Sequence, residues 1–188
     1  KAHQAQFRYM KLKQQVNPHF LFNSLNILDC LVCEQRTEQA SAYIHKLAGI
    51  YRYMLQNEEE TLVRLREEMA FVGMYVDLLQ VRFPEGFRVE TDIPDEAMNR
   101  HVLPCSVQLL IENAIKHNSV GADRPLVIRI VAGAGAVTVS NNLQLKVSGT
   151  TSTRVGLNYI RQQYLDLSGI PIGIRRTDTE YCVTLPLL

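Results

Sequence analysis

The sequence predicts an α+β fold, in which a helical hairpin is followed by an α/β sandwich. Up to about residue 83, apolar residues recur at spacings of three and four, which is the period of amphipathic helices. After Gly86, strand-like runs alternate with helical segments, and this order predicts a sheet with helices on one face. We therefore expect a hairpin over residues 1–60 and a second domain over residues 61–188, in which residues 61–83 form a linking helix.

Three helices are predicted in the first half of the chain. A polar break over residues 34–38, with Thr37 as a possible N-cap, separates the first two. The second helix stops near Gln56, and the third begins after about Thr61 and ends before the turn signal at residues 83–86. The apolar positions of the first helix form one stripe, made of Phe20, Leu21, Leu25, Leu28 and Val32. Because the apolar faces are wider than one hairpin can cover, we expect two chains to pair as a four-helix bundle.

The second half alternates strands with helices. Strands are predicted over residues 87–93, 126–132 and 136–141, helices over residues 104–117 and 155–167, and a closing hairpin over residues 170–176 and 181–185. The segment 148–153 has the composition of a flexible loop and stands between a strand and a helix.

The composition excludes some classes of function. Lys and Arg number 20 against 19 Asp and Glu, so no charge field argues for direct nucleic-acid binding. No apolar run reaches the roughly 18 residues that a membrane span needs. The first residues already follow a helical pattern, so we expect a cytoplasmic fragment of an inner-membrane protein. Cys30 and Cys33 have the CxxC spacing of redox and zinc sites, but their helical context favours buried, reduced core cysteines.

One histidine opens an apolar helix in the run Asn17-Pro18-His19-Phe20-Leu21-Phe22-Asn23. Either Asn17 and Pro18 begin this helix, or it runs through from earlier residues and Pro18 kinks it. In both cases His19 stands beside irregular backbone, and a neutral imidazole is a competent nucleophile near neutral pH. Asn23 lies one turn along, where it can orient the ring or contact an incoming phosphoryl group. On spacing alone, an ordinary exposed helix histidine remains the alternative.

A second polar constellation lies on the helix predicted before Asn118. Asn113 and His117 are four residues apart and share a face, as do Glu112 and Lys116. Mg²⁺ prefers oxygen ligands and keeps several waters, so one amide oxygen and phosphate oxygens suffice to bind it. Lys116 can act as a point charge for phosphate. The alternative is a solvated helix face with an internal Glu112–Lys116 ion pair.

From about residue 10 to the C-terminus, the sequence resembles the LytS/YehU-type sensor histidine kinases. The motifs and their order are specific, above all NPHFLFN at residues 17–23 and ENAIKH at residues 112–117. Between them lie Arg52-Tyr53-Met54-Leu55, Leu65-Arg66-Glu67-Glu68, Tyr75, Arg82-Phe83 and Leu103-Pro104, and the chain ends in Val183-Thr184-Leu185-Pro186-Leu187.

The resemblance implies a two-component sensor kinase in which His19 is the phosphoacceptor on a dimerisation hairpin. The second domain is then of the GHKL type shared with gyrase and Hsp90, with ATP and Mg²⁺ as cofactors. Asn113 would chelate Mg²⁺, Glu112 would polarise the nucleophile, and Lys116 and His117 would lie near the phosphates. Phosphate would pass from ATP to His19 and then to an aspartate of a response regulator, in this family often of the LytTR type. The implied partners are a second copy of the chain and that regulator.

Two segments depart from the pattern of these kinases. Asn141 stands where an aspartate usually accepts the adenine amine, and the usual glycine is replaced by Leu143. In the phosphate loop, Arg154 replaces one glycine, while Gly156 and Leu157 are retained at the start of a helix. These departures leave a second hypothesis, a pseudokinase that keeps the fold and acts as a dimeric signalling scaffold.

Overall fold

The computed structural model describes residues 18–57, 59–133, 135–146 and 155–188. Helix α1 (Pro18–Cys33) and helix α2 (Thr37–Gln56) pack against each other across a short turn and form the predicted hairpin. Arg36 is the N-cap of α2, so the prediction of Thr37 as the cap is wrong by one residue. Asn17 lies outside the described residues. The two alternatives for this point of the chain, a helix start at Asn17 and Pro18 or a kink at Pro18, therefore both stay predictions.

Helix α3 (Leu65–Arg82) is the central element of the fold. It packs against α2 on one side and against helix α5 (Ser106–His117) on another, so most of its faces are covered. Its buried residues are Leu65, Glu68, Phe71, Val72, Tyr75, Val76, Leu78 and Leu79. The apolar side that the sequence predicts for this helix is therefore only part of the surface it buries.

Five strands form the main sheet, namely β2 (Phe87–Asp92), β4 (Leu126–Ala132), β5 (Ala136–Asn142), β6 (Gly173–Arg176) and β7 (Glu180–Pro186). Their order is β2-β4-β5-β7-β6; β2 and β4 are parallel, and the other neighbours are antiparallel. A separate two-stranded sheet pairs β1 (Val63–Arg64) with β3 (His101–Val102), and a short helix α4 (Asp95–Met98) precedes β3. These three short elements are absent from the sequence prediction.

Helices cover one face of the main sheet. Helix α5 packs against β4 and β5, and helix α6 (Val155–Ser168) packs beside α5. The strands bury alternate residues, and the core of this layer includes Leu126, Ile128 and Ile130 from β4, Val137 and Val139 from β5, and Val107, Leu110 and Ile111 from α5. The predicted α+β architecture, a hairpin followed by a sandwich with helices on one face of the sheet, is confirmed.

Two expectations about α1 are wrong. Leu25 and Val32, predicted to share one apolar stripe with Phe20, Leu21 and Leu28, are exposed. Leu31, which was not part of that stripe, is buried in the core. Helix α1 therefore has two apolar faces, because apolar residues occupy more of its circumference than one packing partner covers. Cys30 and Cys33 are exposed free thiols rather than buried ones. In the described part of the chain, no group of three or more His, Cys, Asp or Glu side chains could hold a metal ion, and no helix has the length and hydropathy of a membrane span.

Candidate phosphoacceptor and nucleotide site

His19 lies in the first described turn of α1, and its side chain is exposed. The amide nitrogen of Asn23, one turn along, is 3.1 Å from Nδ1 and 3.3 Å from Nε2 of the imidazole. The amide therefore sits beside the ring edge between the two nitrogens. This is the contact that their spacing of four residues predicts.

Tyr75 connects the start of α1 to the middle of α5. The ring of Phe20, the residue after His19, lies 5.2 Å from the ring of Tyr75, centroid to centroid. Burial raises the pKa of the Tyr75 hydroxyl, and the charge of Glu112 raises that pKa further, while the Gln108 side chain opposes the rise. Tyr75 is therefore in contact with helix α1 and close to the carboxylate of the ENAIKH motif.

The polar side of α5 differs from an ordinary solvated helix face. Glu112 accepts a hydrogen bond from Nε2 of Gln108 at 3.0 Å. Asn113 is half-buried, and Lys116 is exposed one turn later. The carboxylate of Glu112 is thus held by a residue one turn earlier on the same helix.

A cluster of cations surrounds the C-terminal end of α5. Lys146 donates from Nζ to the carbonyl oxygens of Ile115 and Lys116, at 3.1 and 3.0 Å. Burial lowers the pKa of Lys146, and the charge of Arg82 lowers it further. Burial also lowers the pKa of His117, as do the charges of Lys116 and Lys146. Four cationic or titratable groups therefore share one small region, as an anion-binding site would need.

Sequence reasoning missed two members of this cluster. Lys146 follows β5 in the loop before α6, and Arg82 ends α3, so neither belongs to the ENAIKH motif. Arg82 could have been noticed, because the Arg82-Phe83 dipeptide is among the motifs that resemble the LytS/YehU-type kinases. No local pattern indicated that Lys146 would return to α5.

Asn141 occupies an inward-facing position of β5. It is buried on the same strand face as Val137 and Val139, and its Nδ2 donates to the carbonyl oxygen of Asn142 at 2.8 Å. Asn142 points to the opposite face, where its Oδ1 accepts the backbone N–H of Val127 at 2.8 Å. Because a carbonyl oxygen can only accept, the orientation of the Asn141 amide is determined, and its oxygen is turned away from Asn142.

Gly156 and Leu157 lie in the first turn of α6, and Leu157 packs against the hydrophobic core. The start of this helix is therefore anchored, and its first N–H groups are unmatched within the helix, as at any helix N-terminus. Arg154, the other predicted residue of this loop, lies outside the described residues.

An open groove of about 590 Å³ is lined by residues of β4, β5, β6 and β7 and of the turn between the last two strands. Its two arginines are already paired, Arg129 with Glu90 at 2.8 Å and Arg175 with Glu180 at 3.1 Å. Its described lining includes none of the four groups of the cation cluster at the end of α5, so the groove is separate from that cluster.

The structure thus joins an exposed histidine on a helical hairpin to a sandwich in which helix α5 carries an amide, a carboxylate and cations. Residues 7–87 match the model of the histidine kinase family. These matches and those below confirm that the chain is similar to LytS-type sensor histidine kinases.

Two curated relatives illustrate the similarity. Sensor protein LytS of Bacillus cereus is 39% identical over 106 residues, which cover 56% of this chain and 18% of that protein. Sensor protein LytS of Staphylococcus haemolyticus is 29% identical over 190 residues, which cover 93% of this chain and 32% of that protein. The chain thus spans less than a third of the length of these relatives.

The fold is also similar to that of a solved bacterial phosphotransferase. The TM-score is 0.52 at 13% identity, and the match covers 96% of both chains. At this identity, the similarity concerns the fold.

Proposed function

We propose that this chain phosphorylates His19 with ATP and passes the phosphoryl group to an aspartate of a response regulator. The observation that supports this proposal most directly is the contact of Phe20 with Tyr75, which is itself close to Glu112. It brings the helix of the phosphoacceptor and the helix of the nucleotide motif to the same central residue.

His19 is the nucleophile in this proposal. A lone pair on one imidazole nitrogen attacks the γ-phosphorus; an N–P bond forms, and the bond from that phosphorus to the bridging oxygen of ADP breaks. The other ring nitrogen must then carry and release a proton. The amide nitrogen of Asn23 lies 3.1 and 3.3 Å from the two nitrogens, so Asn23 can orient the ring by donating to it. Glu112 is the residue that we propose to polarise the nucleophile and accept its proton.

The residues along α5 suit Mg-ATP. When bound, ATP and Mg²⁺ supply the phosphoryl group and neutralise charge on the phosphates. Asn113 offers the amide oxygen for Mg²⁺, because a half-buried amide on this face matches the preference of that ion for oxygen. We propose that Lys116 and His117 bind phosphate together with Lys146, which the cation cluster adds to the predicted set.

We propose that the remaining contacts to the nucleotide come from β5 and α6. The oxygen of the buried Asn141 amide can accept a hydrogen bond from the adenine amine, because the amide nitrogen already donates to the carbonyl oxygen of Asn142. Gly156 and Leu157 present the N-terminus of α6 to phosphate, and Arg154 is the cation expected beside them.

The wider context of this activity is also a proposal. We infer that the chain is the cytoplasmic kinase part of a membrane-anchored sensor, as the similarity to LytS sensor proteins suggests. We infer too that it works as a homodimer and that its regulator is of the LytTR type.

The proposal is tested by incubating the purified chain with Mg²⁺ and γ-labelled ATP. We expect acid-labile, base-stable label on the wild type and on His45→Gln, which alters another exposed histidine of the hairpin. We expect no label on His19→Gln, with ATP affinity retained, and none on Asn113→Ala, with ATP affinity lost. Label that persists in His19→Gln would refute the assignment. No label together with no nucleotide binding by the wild type would favour the signalling scaffold.

A further inference from the structure

A buried carboxylate lies where α2, α3 and α5 meet. Glu68 of α3 is 0% exposed. Its Oε2 accepts the hydroxyl of Tyr53 at 2.6 Å and the backbone N–H of Cys105 at 2.9 Å. Its Oε1 accepts the backbone N–H groups of Val107 at 3.0 Å and Gln108 at 3.4 Å. Four donors thus face two oxygens, which is the arrangement that an ionised carboxylate satisfies.

The titration behaviour of these groups fits that arrangement. Burial raises the pKa of Glu68, and the hydrogen bonds from Tyr53 and from the backbone of Cys105, Gln108 and Val107 oppose the rise. Burial also raises the pKa of Tyr53, and the neighbouring charge of Glu68 adds to that rise. Tyr53 therefore keeps its proton and remains a donor to the carboxylate.

The start of α5 depends on this carboxylate. Cys105 is the N-cap of α5, its side chain makes no capping hydrogen bond, and its φ of 61° lies in the left-handed region that disfavours residues other than glycine. The first N–H groups of a helix have no partner within it. Glu68 supplies that partner from another helix, and it offsets the strain at Cys105 by accepting its N–H.

The same carboxylate connects α5 to the hairpin. Tyr53 belongs to α2, and its ring stacks on Phe71 of α3 with the centroids 4.3 Å apart and the planes at 11°. The stacked ring directs the hydroxyl to Glu68. A single side chain therefore joins the hairpin to the first turn of the helix that carries Glu112 and Asn113.

We propose that Glu68 is a positioning residue, which fixes the start of α5 and, through Tyr53, sets that helix relative to the phosphoacceptor hairpin. The two sides of the carboxylate have separate consequences. The backbone bonds hold α5 in the geometry that binds nucleotide, whereas the Tyr53 bond holds α5 at the distance from which the phosphoryl group reaches His19. Both consequences rest on the proposed function, the first on nucleotide binding and the second on phosphoryl transfer, whereas the hold of Glu68 on the start of α5 does not.

Tyr53→Phe tests the link to the hairpin, with Tyr51→Phe as the matched control. Tyr51 lies on the same helix, and its buried hydroxyl has no hydrogen-bond partner among the described residues. In Tyr53→Phe we expect the rate of His19 phosphorylation at saturating ATP to fall about tenfold, as for a lost hydrogen bond to a charged group, with the Kd for ATP unchanged. Tyr51→Phe should leave both quantities unchanged. Equal rates in the two variants, or a loss of ATP affinity that accounts for the slower rate, would overturn the link.

Glu68→Gln tests the hold on α5, with its neighbour Glu67→Gln as the control. Among the described contacts, Glu67 accepts a hydrogen bond from the backbone N–H of Arg64, at 3.0 Å, and none from α5. In Glu68→Gln, an NH₂ group replaces one of the two accepting oxygens. We therefore expect faster hydrogen exchange at the amides of the α5 N-terminus and a Kd for ATP about tenfold higher, and neither effect in Glu67→Gln.

The exchange measurement separates this inference from the proposed function, because it needs no kinase activity. Absence of label on wild-type His19 would refute the proposed function alone. Wild-type exchange at Cys105, Val107 and Gln108 in Glu68→Gln would refute the positioning role alone. If Glu68→Gln fails to fold, the comparison of Tyr53→Phe with Tyr51→Phe still decides the link.

Discussion

At the scale of single residues, hydrogen-bond partners distinguish the two exposed histidines of the hairpin. Nδ1 of His45 lies 2.7 Å from the carbonyl oxygen of Ser41, and because a carbonyl only accepts, this nitrogen must carry the proton. His19 instead faces the amide nitrogen of Asn23, which donates and so meets a ring nitrogen that carries a lone pair. The carbonyl thus fixes the tautomer of His45, whereas the contact of His19 leaves a ring nitrogen with its lone pair.

Contacts fixed by one helix could be predicted from the sequence, and contacts between elements could not. Four residues along a helix place Asn23 beside His19, so that pair follows from spacing. Lys146 reaches α5 from a loop, and Glu68 reaches it from α3. No periodicity relates such residues, because their proximity arises only when the elements pack.

His117 provides a prediction about pH. Its folded-state pKa is lowered from the ordinary value of 6.5 by burial, then by Lys116 and Lys146, so the unfolded chain binds the proton more readily. The stability that neutral His117 contributes is therefore complete above pH 6.5 and is lost as the pH falls from 6.5 through the folded pKa. We expect the urea midpoint of the wild type to fall between neutral and mildly acidic pH, and to fall less in His117→Gln.

The control for this prediction is His45→Gln, since His45 is exposed on the hairpin and does not contact the cation cluster. Its midpoint should fall as much as that of the wild type. If the urea midpoint of His117→Gln falls as much as that of the wild type, the acid sensitivity belongs to other groups.

At the scale of elements, the length of a segment decided whether the sequence could predict it. The long helices and the strands of the main sheet repeat their pattern over several turns or pairs, and their predicted bounds agree with the structure within a few residues. Strands β1 and β3 have two residues each, so they contain no period to detect. Their pairing is a consequence of tertiary packing rather than of local preference.

Helix α5 illustrates an element whose two ends are held by other parts of the chain. Glu68 accepts its first N–H groups, and Lys146 donates to carbonyl oxygens near its last turn. A cation at a helix C-terminus also interacts favourably with the helix dipole. The helix that carries the ENAIKH motif is thus positioned at both ends by residues outside the helix.

We expect Lys146→Met to weaken nucleotide binding. The substitution keeps much of the side-chain length but removes both hydrogen bonds to α5 and one cation of the cluster. A loss of about tenfold in ATP affinity is expected for a charged hydrogen-bonding group, measured by titration calorimetry. Arg176→Met removes an exposed cation of β6, away from the cluster, and should bind ATP as the wild type does. Wild-type affinity in Lys146→Met would exclude it from the site.

At the scale of the whole molecule, the hydrophobic core is continuous across residue 60, where the sequence suggested a domain boundary. Buried residues of the hairpin, such as Tyr43 and Ile50, belong to the same cluster as Leu65 and Phe71 of α3. The sequence could not reveal this continuity, because each helix shows only that it has an apolar face, not which element covers it. The hairpin therefore has one face on α3 and a second face directed away from it.

The second face of the hairpin is apolar and exposed. It contains Phe22, Leu25 and Val32 of α1, which are 64%, 47% and 60% exposed, and Ile44 and Leu55 of α2, which are 47% and 68% exposed. In each helix these residues share one side, since their spacings are near multiples of a helical turn. An apolar surface of this kind on a helical hairpin is what a second hairpin would bury in a four-helix bundle.

We therefore expect the purified chain to be a dimer at micromolar concentration, and Leu25→Glu to be a monomer, by multi-angle light scattering. Burying an apolar side chain contributes about 1.5–3 kcal/mol, and a two-fold interface would lose it twice and gain two facing carboxylates. The control is Leu165→Glu on α6, which alters a residue of similar exposure, 46%, outside the hairpin and should remain dimeric. Because His19 lies on the same helix as Leu25, the monomer also shows whether transfer needs the second copy. Phosphorylation that persists at the wild-type rate in the monomer would mean that each chain phosphorylates its own His19, whereas a dimeric Leu25→Glu would place the interface on another surface.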